Sequence, residues 1–397
     1  MILKTKSIVF FDEEEAWLDM LPLTFTRPRV RLRVGITVIF EKWQQFCDSI
    51  AYISKDYIIS AQHLPRPDDG ESLYISGGLL PNSSILEILA EIPLNTRLVC
   101  EGRLLAFKGT KSQWENRDKT PIQEITEDSV DEIRRPFDIF LKNSSWITND
   151  FERLSSHKDG SGETICCNLI GNPKRLFIAK GASAVGATFN TTGGPIWIGE
   201  NAQIMEGACL RGPVSIGENS VVKMGAVIYP GTTVGPWCKV GGELNNVVIH
   251  GYTNKAHDGF LGNAVIGKWC NIGAGCTASN LKNDYSEIKL WNYRKKHFEK
   301  TGLQFCGLIM GDHTKAGVNT MFNTATVVGV GCNIHGSGFP RNFIPSFSDG
   351  GSAGFVDVSL PKFFETAGRV MARRGKELTE VDEELFKHIF RFADSFK

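Results

Sequence analysis

The stretch NKAHDGFLGNAVIG, residues 254–267, holds the pair with the clearest capacity for chemistry, His257 followed by Asp258. Imidazole titrates near neutral pH, so a histidine can accept the proton of an attacking amine or hydroxyl. Asp258 would orient or polarise the ring, although adjacent side chains often point apart. The alternative is a histidine in a surface loop. The elements on either side of the pair must distinguish these two interpretations.

Aliphatic residues recur every six positions before and after this stretch, and a mostly small residue follows each of them four positions later. A six-residue period fits neither an α-helix nor a hairpin sheet. It predicts short strands that form the flat faces of a coil, with stacked coils about 4.8 Å apart and a continuous aliphatic interior. The aliphatic positions are Ile198, Ile204, Leu210, Ile216, Val222, Ile228, Val234 and Val240, then Phe260, Ile266 and Ile272, then Met310, Ala316, Phe322, Val328 and Ile334.

Composition and patterning divide the chain into three parts. Residues 1–165 mix strand, helix and loop signals and predict an α/β domain, and residues 166–345 carry the six-residue repeats. Residues 346–397 have helical periodicity, and we expect this tail to cover the open end of the coiled domain. The segment 155–164, SSHKDGSGET, predicts an exposed hinge.

Charge and cysteine content exclude several classes of protein. Lys+Arg and Asp+Glu are both 44, so no overall field favours nucleic acid or an anionic membrane as a partner. No apolar run approaches the ~20 residues of a membrane-spanning helix, and the first residues lack the apolar core of a signal peptide. The ten cysteines include no C-x-x-C pair, which predicts reduced thiols in a cytoplasmic protein without a metal site.

The repeats resemble the hexapeptide-repeat acyltransferase superfamily, whose domain is a left-handed parallel β-helix, usually trimeric. Within it, KAHDGFLGN and NIGAGCTASN are similar to K-A-G-H-L-T-Y-L-G-D and N-I-G-A-G-T-I-T-C-N of the family that acetylates glucosamine-1-phosphate and then uridylylates it. The whole chain looks like a bacterial sugar nucleotidyltransferase-like group related to that family. The resemblance implies that His257 is the catalytic base, that acetyl-CoA or another acyl-CoA is the cosubstrate, and that the protein is a homotrimer.

The same resemblance implies further site residues, and the chain also departs from the family. Ala274 would contact the acyl-CoA, and Asn271 and Asn280 would line the acceptor or acetyl site; the two asparagines have the alternative of corner residues in left-handed turns. Beside the resemblance, Lys255, Asp258 and Lys282 are candidate substrate contacts, with Lys289 as a further candidate cation for a phosphate. The family holds its substrate's phosphate with an Arg and a Lys, and Tyr229 and Asn246 stand at those places here. The family's Tyr after the catalytic His is Phe260. These departures predict a different acceptor.

The segment 281–302 interrupts the repeats a second time and is both basic and aromatic. It has two interpretations, a lid over an anionic ligand or a solvated loop. The other histidines, among them His313 and His335, are interpreted as structural.

Residues 20–43, MLPLTFTRPRVRLRVGITVIFEKW, resemble the signature of sugar-phosphate nucleotidyltransferases. The glycine-rich phosphate loop of that family is replaced here by FDEEEAW, whose carboxylates would repel a triphosphate. Gly78 stands where the family has the Asp that holds Mg²⁺. The resemblance implies a nucleotidyltransferase-like fold, with Arg27 and Arg29 as candidate nucleotide contacts and Mg²⁺ only if the domain is active. The departures argue against that activity.

Three functions remain open from the sequence. The first is acyl transfer from an acyl-CoA to a sugar phosphate or nucleotide-sugar, with a degenerate nucleotidyltransferase-like domain. The second is sugar-1-phosphate nucleotidyl transfer, alone or together with acyl transfer. The third is a non-catalytic trimeric scaffold that binds nucleotide-sugars.

Overall fold

A computed structural model describes residues 3–156 and 160–397. The chain forms two compact units. The first comprises Met1–Met20, Thr26–Leu32 and Thr37–Arg135, and the second comprises Leu21–Phe25, Arg33–Ile36 and Pro136–Lys397. Part of the predicted hinge, residues 157–159, lies outside the described residues. Within the described ranges, no helix is both long and apolar enough to span a membrane.

The first unit is an α/β domain built on a six-stranded sheet of order β2-β1-β3-β5-β4-β6. β1 is parallel to both its neighbours, and β5 is antiparallel to β3 and β4, so the sheet is mixed. Its strands are β1 Thr5–Phe11, β2 Cys47–Ile53, β3 Ser72–Ser76, β4 Thr96–Cys100, β5 Arg103–Gly109 and β6 Ile122–Glu124, and its helices are α1 Glu14–Asp19, α2 Ile39–Trp43, α3 Asp56–Ala61, α4 Ser83–Glu91 and α5 Lys111–Glu115.

One aromatic cluster fixes a face of this sheet. The rings of Tyr74 and Trp114 stack with centroids 4.5 Å apart, and Phe11 and Phe107 pack against Trp114 at 4.8 and 5.9 Å. All four side chains are buried. The apolar residues SIVFF form the carboxyl-terminal part of β1.

The second unit begins with α6, Pro136–Ser155, and continues as a β-helix of short parallel strands. The strands are β7 Glu163–Ile165, β8 Asn168–Ile170, β9 Leu176–Ile178, β10 Ser183–Val185, β11 Thr188–Asn190, β12 Ile196–Ile198, β13 Gln203–Ile204, β14 Cys209–Arg211, β15 Val214–Ile216, β16 Val221–Val222, β17 Val227–Ile228, β18 Thr232–Val234, β19 Lys239–Val240, β20 Glu243–Gly251, β21 Asn254–Lys255, β22 Phe260–Lys268, β23 Asn271–Ile272, β24 Thr277–Ala278, β25 Lys289–Asn292, β26 His297–Lys300, β27 Ile309–Met310, β28 Lys315–Ala316, β29 Met321–Phe322, β30 Val327–Val328, β31 Asn333–Ile334, β32 Phe343–Ile344, β33 Ser348–Gly351 and β34 Gly354–Asp357.

The coils have three faces. Face A stacks β7, β10, β13, β16, β19, β21, β23, β28, β31 and β33 in that order, with β34 added antiparallel at the end. Face B contains the first halves of β20 and β22, followed by β24 and β29. Face C contains the second halves of β20 and β22, followed by β27, β30 and β32. The strands β25 and β26 form an antiparallel hairpin inserted between faces B and C.

The six-residue prediction is confirmed by burial. The aliphatic residues at the six-residue positions point into one continuous interior, where they are almost completely buried. Phe260 is the exception, because its neighbour Leu261 takes the inward place there. Cys238, Cys270, Cys276 and Cys332 fill small positions of the same interior. The predicted fold, an α/β domain followed by a hexapeptide β-helix and a helical tail, is therefore confirmed.

The tail differs from its expected place at the end of the β-helix. It forms α7, Leu360–Ala372, and α8, Glu380–Ala393, and α8 begins with a Thr379–Asp382 capping box. The Phe363 ring of α7 packs against Phe347 in the last coil and against His313 two coils earlier. The tail thus runs back along the side of the coils, because the aromatic corner residues Phe347 and His313 offer it a packing surface there.

Candidate active site

The loop of His257 is an enlarged corner between faces A and B. In the preceding coil, Val240 on face A and Leu244 on face B are four positions apart. Their partners in the next coil, Lys255 and Leu261, are six positions apart. The corner therefore contains two extra residues, and His257 is exposed on it.

Lys255 holds this corner from inside. It takes an inward place in a column whose neighbouring member is Val240, and it is completely buried. Its ammonium donates to the carbonyl oxygens of Gly241 at 2.9 Å and of His257 at 2.6 Å. Burial lowers its pKa to about 8, and the nearby Cys276 and Asp258 partly offset that effect. A cation inside an aliphatic column thus fixes the backbone of the histidine.

Gly259 is required for the same corner. Its φ is +122°, and a Cβ built on it would lie 2.0 Å from the carbonyl oxygen of Cys276 in the next coil. Only glycine combines that backbone conformation with so close an approach. The corner is also anchored to the next coil by the Gly275 N–H, which donates to the carbonyl of Asp258 at 3.0 Å.

A cavity of about 380 Å³ lies beside His257. It is lined by residues of four successive coils and reaches the end of α7. Its lining consists of Lys239, Asn254, Ala256, His257, Asn271, Ile272, Gly273, Ala274, Val318, Arg373 and Arg374. Among the described residues that line it, three are cations and none is a carboxylate.

Strand register explains part of this lining. Lys239 is aligned with Asn254 in the next coil, and Asn254 is aligned with Asn271 in the coil after it. Neighbouring strands are about 4.8 Å apart, so the three side chains form a short outward ladder beside the enlarged corner.

The two arginines come from the tail. The α7 helix ends at Ala372, and Gly375 follows in the left-handed conformation with φ +63°. Arg373 and Arg374 therefore lie at the helix carboxyl end, where the helix dipole favours cations. The Arg374 Nη2 donates to the Asn254 side-chain oxygen at 3.0 Å, which ties the tail to face A.

The cavity has a positive potential. The pKa of Lys239 is lowered from its usual value, first by burial and then by the charges of Arg374, Lys223 and Arg373. Like charges brought together in a partly buried site repel one another, and a bound anion relieves that repulsion.

The structure brings some predicted site residues together and separates others. His257, Asn271 and Ala274 line the same cavity. Lys255 lies in the interior, where its ammonium is engaged by two backbone carbonyls, so its place favours positioning of the loop over contact with substrate. The side chain of Asp258 is exposed, and its hydrogen bond in the described structure is made by its backbone carbonyl.

Asn280 and Lys282 lie at a different corner of the coils. Asn280 follows β24 on face B and donates to the Asn263 side chain at 2.8 Å. Lys282 donates to the carbonyl of Glu287 at 2.9 Å within the inserted segment. Within one chain, neither residue lines the His257 cavity, so their predicted contact with the same substrate is not supported by this geometry.

The inserted segment forms a second groove of about 700 Å³. Trp291 of β25 stacks on Phe343 at 4.1 Å, and Phe298 of β26 packs on the Trp291 ring. Lys282, Lys289 and Arg341 are the cations of this groove. The segment is therefore an ordered hairpin, and its basic and aromatic residues share one surface.

Sequence reasoning missed the cationic part of the site. Lys239 and Asn254 could have been found, because the six-residue phase places them outward on the same face as Asn271. Arg373 and Arg374 carried no signal, since their approach to the cavity depends on the docking of α7.

In the first unit, Arg29 occupies the carboxyl end of the central strands. Its Nε donates to Asp12 Oδ1 at 3.0 Å, its Nη1 lies 3.6 Å from Glu132 Oε1, and it also contacts the Ser76 hydroxyl. All four side chains are buried. The predicted nucleotide contact of Arg29 is not supported, because this guanidinium is enclosed by its own ion pairs. Arg27 is also buried, at 3% exposure.

The geometry of the same cluster does not fit a bound magnesium ion. A Cβ on Gly78 would lie 3.0 Å from Arg29 Nη1 and 2.4 Å from the carbonyl oxygen of Ile133. The guanidinium thus fills the space beside Gly78. It also pairs with Asp12 and Glu132, the carboxylates that a divalent cation would need as ligands. Among the described residues, no group of three or more His, Cys, Asp or Glu side chains is placed to hold a metal ion. A cavity of about 810 Å³ in this unit lies at the opposite, amino end of β1 and β3.

Comparison with known proteins adds the family relationship. Residues 8–159 match the family described as sugar nucleotidyl transferase, and residues 195–229 match the bacterial transferase hexapeptide, six repeats. The predicted resemblance is confirmed. Both family descriptions name transferases, so the predicted relationship of the chain to transferases is confirmed with it.

Curated relatives are bifunctional by name, and the name of one of them states both activities. The bifunctional sugar-1-phosphate nucleotidylyltransferase/acetyltransferase of Sulfurisphaera tokodaii is 33% identical over 144 residues, which cover 36% of this chain and 35% of the relative. The bifunctional protein GlmU of Methanocaldococcus jannaschii is 32% identical over 95 residues, covering 24% and 22%. That of Paenarthrobacter aurescens is 28% identical over 162 residues, covering 39% and 27%. The matches thus cover about a third or less of each relative's length.

The place of Lys255 leads to a prediction about pH and stability. In Lys255→Met, an apolar side chain of similar length replaces the buried ammonium in the aliphatic column. We expect the variant to unfold at an equal or higher urea concentration than the wild type at pH 7, although the His257 carbonyl loses its donor.

The sign of the pH effect follows from the lowered pKa. The native state releases the Lys255 proton near pH 8, and the unfolded state releases it near 10.5, so the unfolded state binds more protons between these values. The stability of the wild type relative to Lys255→Met should therefore rise from pH 8 to pH 10. Urea unfolding of both proteins at pH 7, 8.5 and 10 measures this difference. A difference that stays constant or falls with pH would contradict the buried charge.

Proposed function

We propose that this protein is an acyltransferase that moves an acyl group from an acyl-CoA, acetyl-CoA in the simplest case, to an amine or hydroxyl of a sugar phosphate or nucleotide-sugar. The observation that carries the proposal is the cavity in which His257 lies beside Asn271, Ala274 and a set of cations. An imidazole on a fixed corner, facing a polar cavity of ligand size, suits general base catalysis on a charged small molecule.

The proposed reaction balances without a metal or redox partner. The acceptor nitrogen or oxygen attacks the thioester carbon, and His257 takes the proton that the acceptor loses. The new C–N or C–O bond forms in this attack, and the C–S bond breaks as the tetrahedral intermediate collapses. The imidazolium then returns the proton to the departing CoA thiolate. Lys255 and Gly259 position the histidine through its backbone.

The first unit is proposed to be a nucleotidyltransferase-like domain without nucleotidyl transfer. Support comes from the buried Arg29 ion pairs with Asp12 and Glu132, which occupy the end of the sheet where α/β domains bind ligands. Mixing the protein with UTP or dTTP, sugar-1-phosphates and Mg²⁺ should release no pyrophosphate. Release of pyrophosphate would restore the second function left open by the sequence.

We also propose a homotrimer in the cytoplasm. Exposed apolar side chains on the coils support an oligomer, since Met224 and Val318 are 70% and 67% exposed, and Val227, Tyr229 and Met321 are each 37% exposed. The ten free cysteines agree with a reducing compartment. Sedimentation should give three times the mass of one chain, and a monomer would contradict the assembly.

The direct test of acyl transfer is a single-turnover reaction of excess protein with acetyl-CoA and a panel of amino-sugar phosphates. Cys166 and Cys209 are exposed and would react with thiol reagents, so the acylated sugar should be measured by mass alongside the free CoA thiol. We expect product with at least one phosphorylated acceptor. Ligand binding without product would favour the non-catalytic scaffold.

A further inference from the structure

We propose that Lys239, Arg373 and Arg374 form a phosphate-binding subsite of the His257 cavity, and that the C-terminal tail is therefore a substrate-binding part of the protein. That the phosphate belongs to a reactant of acyl transfer rests on the proposed function; the anion site itself rests on the geometry alone. The ligand chemistry is a phosphate ester or anhydride.

The positive charge of the His257 cavity is not compensated by carboxylates among its described lining residues. Lys239 lies on β19, and the two arginines lie at the end of α7, so two elements far apart in the sequence bring cations to one cavity. In the described part of the chain, none of the three forms an ion pair with a carboxylate. Arg374 donates instead to the neutral amide of Asn254. Cations assembled without acidic partners in a concave site are suited to an external anion.

The arrangement of donors in the cavity suits a phosphate group. Guanidinium groups bind phosphate oxygens through paired N–H donors, and an ammonium adds a point charge. The ladder of Lys239, Asn254 and Asn271 leads from the cations along face A towards the corner of His257. One small molecule in this cavity can therefore present its phosphate to the cations and its nucleophile to the imidazole.

The experiment is calorimetric titration of the full chain with inorganic phosphate. It compares the wild type with the double variant Arg373→Gln/Arg374→Gln. Losing two charged donors should weaken phosphate binding by roughly 10-fold to 100-fold. The matched control is Arg369→Gln, an arginine on the same helix that is paired with Glu365, is largely exposed and lies outside the cavity lining. The control should bind phosphate as the wild type does.

Two further variants keep the test decisive. Arg373→Lys/Arg374→Lys should recover part of the affinity through charge alone, and Lys239→Gln should weaken binding without altering the tail. Binding should also fall as NaCl is raised, since the site is partly open to solvent. Equal phosphate affinity in the wild type, the double variant and Lys239→Gln would overturn the proposal.

Separate arms identify the source of the phosphate and separate this proposal from the proposed function. Glucosamine-1-phosphate, glucosamine and coenzyme A are titrated one at a time in the His257→Ala background, where any turnover is slowed. Weakening by Arg373→Gln/Arg374→Gln confined to glucosamine-1-phosphate places the acceptor in the subsite, and weakening confined to coenzyme A places the donor there. If the wild type transfers no acyl group but the arginines still control phosphate affinity, the subsite stands and acyl transfer falls.

Discussion

His257→Ala is expected to lower the single-turnover rate constant for acyl transfer by about 100-fold to 10,000-fold, the usual contribution of a positioned general base. Affinity for the phosphorylated ligand should stay close to that of the wild type, because the cations of the cavity are untouched. Thermal stability should be unchanged, since His257 is exposed on its corner. The measurement is the single-turnover rate of product formation, with binding determined separately.

The matched control for this variant is His335→Ala. His335 is also exposed, pairs with Asp349 at 2.8 Å and lies outside the cavity. Its rate should equal that of the wild type. An His257→Ala protein that transfers acyl groups at the wild-type rate would remove the histidine from the mechanism.

Arg29→Met is expected to destabilise the first unit by about 3–5 kcal/mol, because Asp12 and Glu132 would be left buried without their common cation. Urea unfolding followed through the first transition gives the loss, and Arg66→Met serves as the control. Arg66 pairs with Asp56 on the surface, where an ion pair contributes at most about 1 kcal/mol.

A triple variant separates charge from shape at Arg29. Combining Arg29→Met with Asp12→Asn and Glu132→Gln neutralises the two carboxylates that Arg29 pairs with while keeping their volumes. Most of the lost stability should return. If Arg29→Met costs less than about 1 kcal/mol, the cluster is not a structural ion pair, and a ligand-binding role for Arg29 would again be open.

Much of the fold followed from the sequence because the six-residue period repeats one local rule. Each coil places an aliphatic residue inward, so the period alone assigns residues such as Ile216 and Val328 to the interior, where they lie. The enlarged corner of His257 was also visible, as a loss of phase between Val240 and Ile272. That a charged residue, Lys255, fills an inward place there could not be read from the period, because the pattern expects an aliphatic side chain.

The chemistry of the site was only half visible in the sequence. His257, Asn271 and Ala274 came from local motifs, and the structure brings them together. The positions of the cations depended on tertiary contacts. Arg374 reaches Asn254 because Phe363 docks α7 on the corner residues His313 and Phe347. Arg29 is the opposite case. Its motif predicted contact with a nucleotide, but in the structure it is buried in ion pairs with Asp12 and Glu132.

The most direct measurement is a crystal structure of the full chain with coenzyme A and an amino-sugar phosphate. We expect the acceptor's nitrogen or hydroxyl oxygen within about 3 Å of a ring nitrogen of His257, as general base catalysis requires. We also expect a phosphate against Arg373 and Arg374. Ligand density confined to the groove of Trp291, or to the first unit, with the His257 cavity empty, would contradict acyl transfer at this histidine.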